Sequence, residues 1–320
     1  MNIEHAYSYS GLKEFSECNK KRFYRTSPDH KPAFRSAAFL IGSASHAAIK
    51  LLHENPNYDI PSLCRDMIDS EIRDNEDVPV DWGATGREKR EVDMIELIEV
   101  YWQHNEGVEL LSSERWFYVR FEHPMIKPVT IRGRFDQLRT NKNRLVIYEL
   151  KTGKMRPEIR AMQNDEQVPL QNYAMRYGVV LLDDEPYAPD NPHIHDFPEN
   201  NLLPECTKCH IKGQRFATWP HAVYRYYPYG LVPLKSNAKD GRKKGDPRFP
   251  ALYECTFTEE QIERFREKMA AQIRSYQLAE ETGCWLPTGR TAYQSPCPDC
   301  PYQSVCKSDV ATVRIVEGEQ

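Results

Sequence analysis

The chain has no apolar run that approaches a membrane span, no internal repeat and no low-complexity tail. A helical membrane protein is thereby excluded, since crossing the hydrocarbon core takes about 20 consecutive apolar residues. The opening Met1-Asn2-Ile3-Glu4-His5 has neither the charged nor the apolar region of a secretory leader, so export is not expected. An excess of positive charge is also missing: 43 Lys and Arg face 47 Asp and Glu, a formal net charge of −4. Such a chain has no global attraction to a polyanion, and any nucleic-acid footprint must be local. Cysteine is not scarce. Nine cysteines in a chain without an export signal point to a reducing, cytoplasmic setting and no membrane partner. A 40% apolar content over 320 residues is enough to build a core.

The rest of the chain is organised around Gly133-Arg134-Phe135-Asp136 and Tyr148-Glu149-Leu150-Lys151-Thr152-Gly153-Lys154. Ile131, Gly133 and Phe135 alternate with Arg132, Arg134 and Asp136, and the run 144–151 is rich in β-formers, so both segments are expected as strands. The short polar link Thr140-Asn141-Lys142-Asn143 makes them a hairpin. Side chains on a strand alternate faces, which puts Glu149 and Lys151 together and Leu150 on the other face. If the register brings Asp136 alongside, two carboxylates and an ammonium converge. That cluster is costly without a cation, and carboxylate oxygens are the ligands that magnesium and manganese prefer. The bland alternative is a solvated hairpin with ordinary surface charge.

Gly42-Ser43-Ala44-Ser45-His46 lies in the run 34–53, whose Ala, Leu and Ile content favours a helix. Gly42 and His46 fall one turn apart on one face, and the small residues allow close approach to a sheet. A lone histidine on such a helix is often a satisfied core residue. Taken in order, however, Gly-x3-His, Gly-x2-Asp and Glu-x-Lys-Thr-Gly-Lys resemble the RecB-like branch of the PD-(D/E)XK nuclease superfamily. The resemblance implies an α/β, restriction-endonuclease-like fold, a mixed central sheet flanked by helices. It matches His46, Asp136, Glu149 and Lys151 to the catalytic set. It also implies a magnesium or manganese site held by His46, Asp136, Glu149 and the Leu150 carbonyl. The family's Gln-x3-Tyr element is altered here, because Pro169 stands four residues before Tyr173. Gln171 and Tyr173 are therefore expected to do that work at shifted spacing.

Cys297-Pro298-Asp299-Cys300-Pro301-Tyr302-Gln303-Ser304-Val305-Cys306 gives C-x2-C-x5-C near the end of the chain, and Cys18 stands far upstream. Four thiolates suit an iron-sulfur cluster or a structural zinc, and the spacing does not choose. The one-then-three layout resembles the iron-sulfur nucleases of the superfamily, AddB-type subunits and CRISPR-adaptation nucleases among them. That resemblance implies a four-iron, four-sulfur cluster on Cys18, Cys297, Cys300 and Cys306, joining residues 1–30 to 284–312. Closing so long a loop costs roughly 5 kcal/mol plus a constant, so the cluster is expected to be a structural staple.

Elsewhere, 9–24 is expected as one helix with Ser8 or Ser10 as its N-cap, 61–77 and 86–107 as charged helices, and 114–123 as a strand. A helix is expected over 171–182, a strand over 253–257, and a helix over 258–281 capped by Thr258 with Gln261 completing the box. The cation and aromatic run Lys20-Lys21-Arg22-Phe23-Tyr24-Arg25 suits either phosphates and bases or a solvated face with core rings. Residues 183–250 are proline-rich and weakly periodic, and are expected as an insertion within a single domain spanning 1–320. In that stretch Cys206 and Cys209, with His193, His195, His210 and His221, are candidate zinc ligands. Its tyrosines and the Arg242-Lys243-Lys244 loop are a candidate DNA grip.

The resemblance implies a metal-dependent DNA nuclease, specifically an exonuclease on DNA ends or single strands. Its setting would be recombination, repair or a phage or CRISPR-related pathway, alongside a helicase or similar partner. The alternative, from a different class, is a non-catalytic iron-sulfur scaffold that binds DNA; the intact acidic pair and lysine speak against it.

Overall fold

The computed structural model describes residues 6–141, 144–152, 165–182, 197–198, 201–227, 236, 243–245, 252–287 and 296–308. In chain order these form β1 (Tyr7–Ser8), α1 (Tyr9–Glu17), α2 (Asn19–Thr26), β2 (Arg35–Ser36), α3 (Ala37–Glu54), α4 (Ile60–Arg73) and β3 (Val80–Asp81). There follow α5 (Gly86–Asn105), β4 (Ser112–Phe121), β5 (Val129–Asn141), β6 (Arg144–Leu150), α6 (Gln167–Tyr177) and β7 (Val179–Leu181). The remainder are β8 (Gly213–Gln214), β9 (Ala222–Tyr226), β10 (Leu252–Cys255), α7 (Glu259–Thr282) and α8 (Gln303–Ser308).

The main sheet runs β10-β9-β6-β5-β4-β7-β8, and off this path β1 pairs parallel with β5 at Ile131 and Arg132. β4, β5 and β6 form an antiparallel meander, whereas β9 is parallel to β6. A parallel neighbour needs a long crossover, and here α6, β7 and β8 occupy it. This is the mixed sheet between helices expected from the sequence. One core joins the sheet to α1, α6 and α7 through residues such as Leu12, Phe135, Ile147, Met175 and Met269. A second joins it to α3, α4 and α5 through Leu40, Ile68, Ile98, Leu150 and Tyr226. Among the described residues no helix is long and apolar enough to cross a membrane.

Several local expectations change. The first helix is two helices, because Cys18 adopts an extended backbone (φ −163°, ψ 106°) between α1 and α2. Ser8 caps α1 by accepting from the Gly11 N–H at 3.1 Å. The helix expected over 171–182 starts earlier and stops at Tyr177. Pro169 sits in its first turn, where the missing N–H costs nothing. At Gly178 a Cβ would lie 2.5 Å from the Ala174 carbonyl oxygen and 2.8 Å from that of Tyr118, so the chain turns there and Val179-Val180-Leu181 pairs as a strand. The stretch 183–250 supplies two strands of the sheet, and β9 is buried at all five positions. Its proline content obscured the β-rich Ala222-Val223-Tyr224-Arg225-Tyr226. Of the features expected there, His193, His195, Tyr229 and Arg242 lie outside the described residues. The capping box on α7 is present, with Gln261 N–H to Thr258 Oγ1 at 3.2 Å and Thr258 N–H to Gln261 Oε1 at 2.8 Å.

Gly133 is required by a close approach. The Phe117 ring, stacked on Phe135 at 4.6 Å, would meet a Cβ on Gly133 at 2.4 Å. Gly133→Ala is therefore expected to destabilise the protein by about 1–3 kcal/mol through overpacking. A denaturation midpoint should show the loss, and Phe117→Leu in the same chain should recover part of it; an unchanged midpoint in Gly133→Ala would contradict this packing.

Candidate metal centre

Strand register builds the centre. The pairs Ser113↔Gln137 and Arg115↔Phe135 flank Glu114 and Asp136, so these two carboxylates face each other across β4 and β5. The pair Gln137↔Tyr148 sets Asp136 beside Glu149 on β6, and Glu149 pairs with Arg225 on β9. Four charged residues thus occupy one level of four adjacent strands: Glu114, Asp136, Glu149 and Arg225. All four are buried.

Helix α3 closes over one end of this row. His46 Nδ1 lies 2.9 Å from Glu114 Oε1 and 3.5 Å from Asp136 Oδ1. Buried Ala44 and Ala48 line the helix as expected. Gly42 is not demanded by packing, since a Cβ there would meet Thr152 Oγ1 at an ordinary 3.6 Å. Asp136 Oδ2 accepts the Leu150 N–H at 2.6 Å, while the Leu150 side chain packs in the α3–α5 core. Helix α6 closes the other end. Gln167 Nε2 and Lys151 Nζ donate to Glu149 Oε1, Gln171 Nε2 donates to Glu149 Oε2, and Lys151 also donates to Gln167 Oε1 at 3.0 Å.

The structure therefore gathers His46, Asp136, Glu149, Lys151 and Gln171. Tyr173 is not among them. Two residues beyond Gln171 it points to the far side of α6, against Phe121, Tyr177 and Phe265. There it lines a 260 Å³ surface cleft with Arg120, Glu122, Tyr177 and Arg266. Sequence reasoning missed two members of the centre. Gln167 could have been found from its spacing of four before Gln171, which places both amides on one helical face. Glu114 carried a fainter signal, the single acid of a strand that otherwise holds serines, arginines and large apolar residues. Its backbone sits at φ 54°, a left-handed conformation that costs a non-glycine residue about 1–3 kcal/mol. Arg134, 2.8 Å away, and His46 hold it there.

The electrostatics follow from crowding like charges out of water. Burial, then Glu149 and Glu114, push the Asp136 carboxyl up to about 8 against the opposing pull of His46 and Lys151. Burial works against a charged His46, but Asp136, Glu114 and Glu149 prevail and raise it to about 9. Lys151 is likewise raised: burial opposes its charge and Glu149 and Asp136 outweigh it. One donor atom each from His46, Glu114 and Asp136 lie within 4.8 Å of one another. An imidazole with carboxylates is a donor set suited to a divalent ion. Glu149 is adjacent to that trio, with both oxygens already bonded.

The six cysteines of the expected thiol sites fall into two places. Cys18 is buried at the α1–α2 break, and the C-terminal segment docks beside it. The Ala33 N–H donates to the Pro301 carbonyl at 2.9 Å, the Lys20 N–H to that of Leu286 at 3.3 Å, and Tyr24 meets Tyr302 at 5.8 Å. The Cys300 thiol is pushed up by burial first, with a smaller upward push from nearby Cys18 and Cys297; among the described residues the cluster of three donor side chains close enough to hold an ion is His46, Glu114 and Asp136, not the cysteines. Cys306 follows on α8. Cys206 and Cys209 neighbour each other in a turn closed by the Glu205↔Lys212 bridge. His210, at φ 63°, pairs with Glu205 at 2.7 Å, and His221 lies 3.4 Å from Arg144.

A family model described as the PD-(D/E)XK nuclease superfamily matches residues 6–307. No curated protein matches the chain. Among solved structures the chain is similar to the crystal structure of SSO0001 at 9% identity, covering 95% of this chain and 100% of that one with a TM-score of 0.35, a likeness too slight to bear on the fold.

The raised groups set a pH dependence for the metal-free protein. With Asp136 raised from the usual carboxylate value of about 3.9 to about 8, the native state holds a proton that the unfolded state releases, and stability falls as pH rises across that window. The raised His46 acts in the same direction: its contribution is complete below the ordinary histidine value of about 6.5 and is lost as pH rises through about 9. Melting temperatures in chelator should therefore fall from mildly acidic to alkaline pH, and excess manganese should flatten the fall by replacing the protons. A chelated protein that grows more stable toward alkaline pH would contradict this charge arrangement.

Proposed function

The chain belongs to the PD-(D/E)XK nuclease superfamily, and from that premise we propose that it is a divalent-metal-dependent DNA nuclease whose centre is the Glu114, Asp136 and Glu149 row. The observation that carries this reading is the convergence of three strand carboxylates, the α3 imidazole and a buried ammonium at one sheet level. His46, Glu114 and Asp136 would hold a magnesium or manganese ion, with the neighbouring Glu149 and the Leu150 carbonyl as further ligands. When bound, such an ion supplies Lewis acidity toward a phosphate oxygen and lowers the pKa of adjacent water. Lys151 orients the attacking water and offsets charge that builds on the phosphate in the transition state. Gln167 and Gln171 keep the Glu149 carboxylate in one orientation, which spares reorganisation during reaction. Tyr173 lies too far round α6 for that task, and its cleft is a contact surface for the strand.

The finer assignment is an exonuclease on DNA ends or single strands, working with a helicase or recombination partner in repair, recombination or a phage or CRISPR-related pathway of a reducing cytoplasm. A four-iron, four-sulfur cluster on Cys18, Cys297, Cys300 and Cys306 would staple the two ends of the fold, a reading supported by the backbone hydrogen bonds of Lys20 to Leu286 and of Ala33 to Pro301. Zinc at Cys206 and Cys209 orders the segment before β9, and Lys243 and Lys244 contact the DNA backbone.

End-labelled and circular DNA, single- and double-stranded, with magnesium or manganese, tests the activity. Asp136→Ala and Glu149→Ala should abolish cleavage, and Lys151→Ala should lower it by roughly a hundredfold to a thousandfold, the scale of one lost transition-state donor. DNA affinity should change little in all three, because these groups act on the transition state. Cleavage at the wild-type rate in these variants would remove the assignment.

Elemental analysis tests the thiol sites. Cys18→Ser or Cys300→Ser should lose iron and lower the melting temperature, whereas substitution of the exposed Cys284 should leave iron unchanged. Full iron in Cys18→Ser would mean a different ligand, and iron without zinc in the wild type would remove the second metal.

A further inference from the structure

At the start of α6, Glu166 takes Lys268 at 2.9 Å and Gln272 at 2.7 Å from α7, and a second polar clamp ties the first turn to the sheet. Asp165, two residues before Gln167, accepts the Gln167 N–H at 2.8 Å and the Tyr9 hydroxyl at 2.9 Å on Oδ1. Its Oδ2 lies 2.8 Å from Arg225 Nη2. Tyr9 is the first residue of α1. Arg225 is 3% exposed and pairs with Glu149 in the β6–β9 register. A carboxylate before a helix whose oxygen takes a first-turn N–H acts as a cap. The residue directly before α6, Glu166, makes no side-chain cap, so that task falls to Asp165.

We propose that Asp165, clamped by Tyr9 and Arg225, is a positioning residue that aims Gln167, and through it Glu149 and Lys151, at the metal centre. The chain of contacts is short. Arg225 and Tyr9 fix the Asp165 carboxylate from a strand and a helix that are both packed in place. Asp165 fixes the backbone of Gln167. Gln167 then meets the other members with both ends of its amide, donating from Nε2 to Glu149 and accepting at Oε1 from Lys151. A shift of the α6 start would turn the glutamine away from both groups at once. A buried guanidinium is retained most economically where a carboxylate neutralises it, so Arg225 and Asp165 constrain each other. Tyr9 and Asp165 reach Glu149 through Gln167, whereas Arg225 stands beside Glu149 in the sheet and also acts on it directly. This inference rests on the metal-nuclease reading for its consequence, while the clamp itself rests on the contacts.

A double-mutant cycle decides it, with manganese as the probe in calorimetric titrations and cleavage of end-labelled DNA measured in parallel. Asp165→Asn and Tyr9→Phe should each weaken manganese binding by about tenfold or less, the scale of one oriented hydrogen bond. They should lower kcat more than they raise KM. In a Gln167→Ala background Tyr9→Phe should have no further effect, since the path it acts through is gone, while Asp165→Asn keeps only the part it exerts by leaving Arg225 unneutralised beside Glu149. Tyr9→Phe removes a single hydroxyl and keeps the ring, so its fold is expected to survive if that of Asp165→Asn does not. Unchanged manganese affinity in Tyr9→Phe, or an effect of it that simply adds to that of Gln167→Ala, would overturn the positioning role. Manganese binding without DNA cleavage by the wild type would sink the nuclease reading and leave the cycle on manganese affinity to judge the clamp. A wild type that binds no manganese would overturn both.

Discussion

Three carboxylates on neighbouring strands repel one another, and most of the polar architecture exists to contain that repulsion. Register in the β4–β5–β6 meander sets Glu114, Asp136 and Glu149 at one level, where burial removes the water that would screen them. Each acid is met by a different device. Glu114 takes His46 and Arg134 at the price of a left-handed backbone. Asp136 takes the Leu150 N–H and the edge of His46. Glu149 takes an ammonium and two amides. The upward shifts of Asp136 and His46 express the same crowding of negative charge, which a cation would relieve.

The apolar fold is arranged so that these devices arrive together. Packing of α3 through Leu40, Ala44, Ala48 and Leu52 brings His46 down on one end of the row. Packing of α6 through Val168, Leu170 and Met175 brings the two glutamines down on the other. These helices belong to separate cores, and the sheet carries the acids between them. The closure of Phe117 over Gly133 keeps β4 tight on β5, where Glu114 and Asp136 must face each other. The α1–α2 break has a comparable role at a distance. Cys18, extended, ends α1 and begins α2, and Lys20 and Ala33 beyond it bond the C-terminal stretch at Leu286 and Pro301.

Whatever depends on near neighbours in the chain could be read from the amino-acid order. Alternation and a short polar link give the β5–β6 hairpin; Glu149 and Lys151 share a face because two residues is one strand period; Thr258 and Gln261 form a capping box within one helical turn. The acidic pair with its lysine, and the histidine on a small-residue helix, were visible for the same reason. Composition misled where local signals were mixed. The prolines of 183–250 concealed β9, and the apolar run after Tyr177 looked helical until the crowding at Gly178 is considered.

What the tertiary structure alone decided was the company these residues keep. Glu114 enters the centre because β4 lies next to β5 in a particular register, a pairing that no window around residue 114 contains. Gln167, and not Tyr173, meets Glu149 because α6 turns that face to the sheet, with Asp165 at its start bonded to Tyr9 and Arg225. Arg225 comes beside Glu149 across 76 residues of chain through a parallel crossover. Local order in a sequence specifies strands, turns and caps through short-range sterics and hydrogen bonds. The meeting of charges from four strands and two helices is a long-range packing outcome, and it is settled only when the two cores close on the sheet.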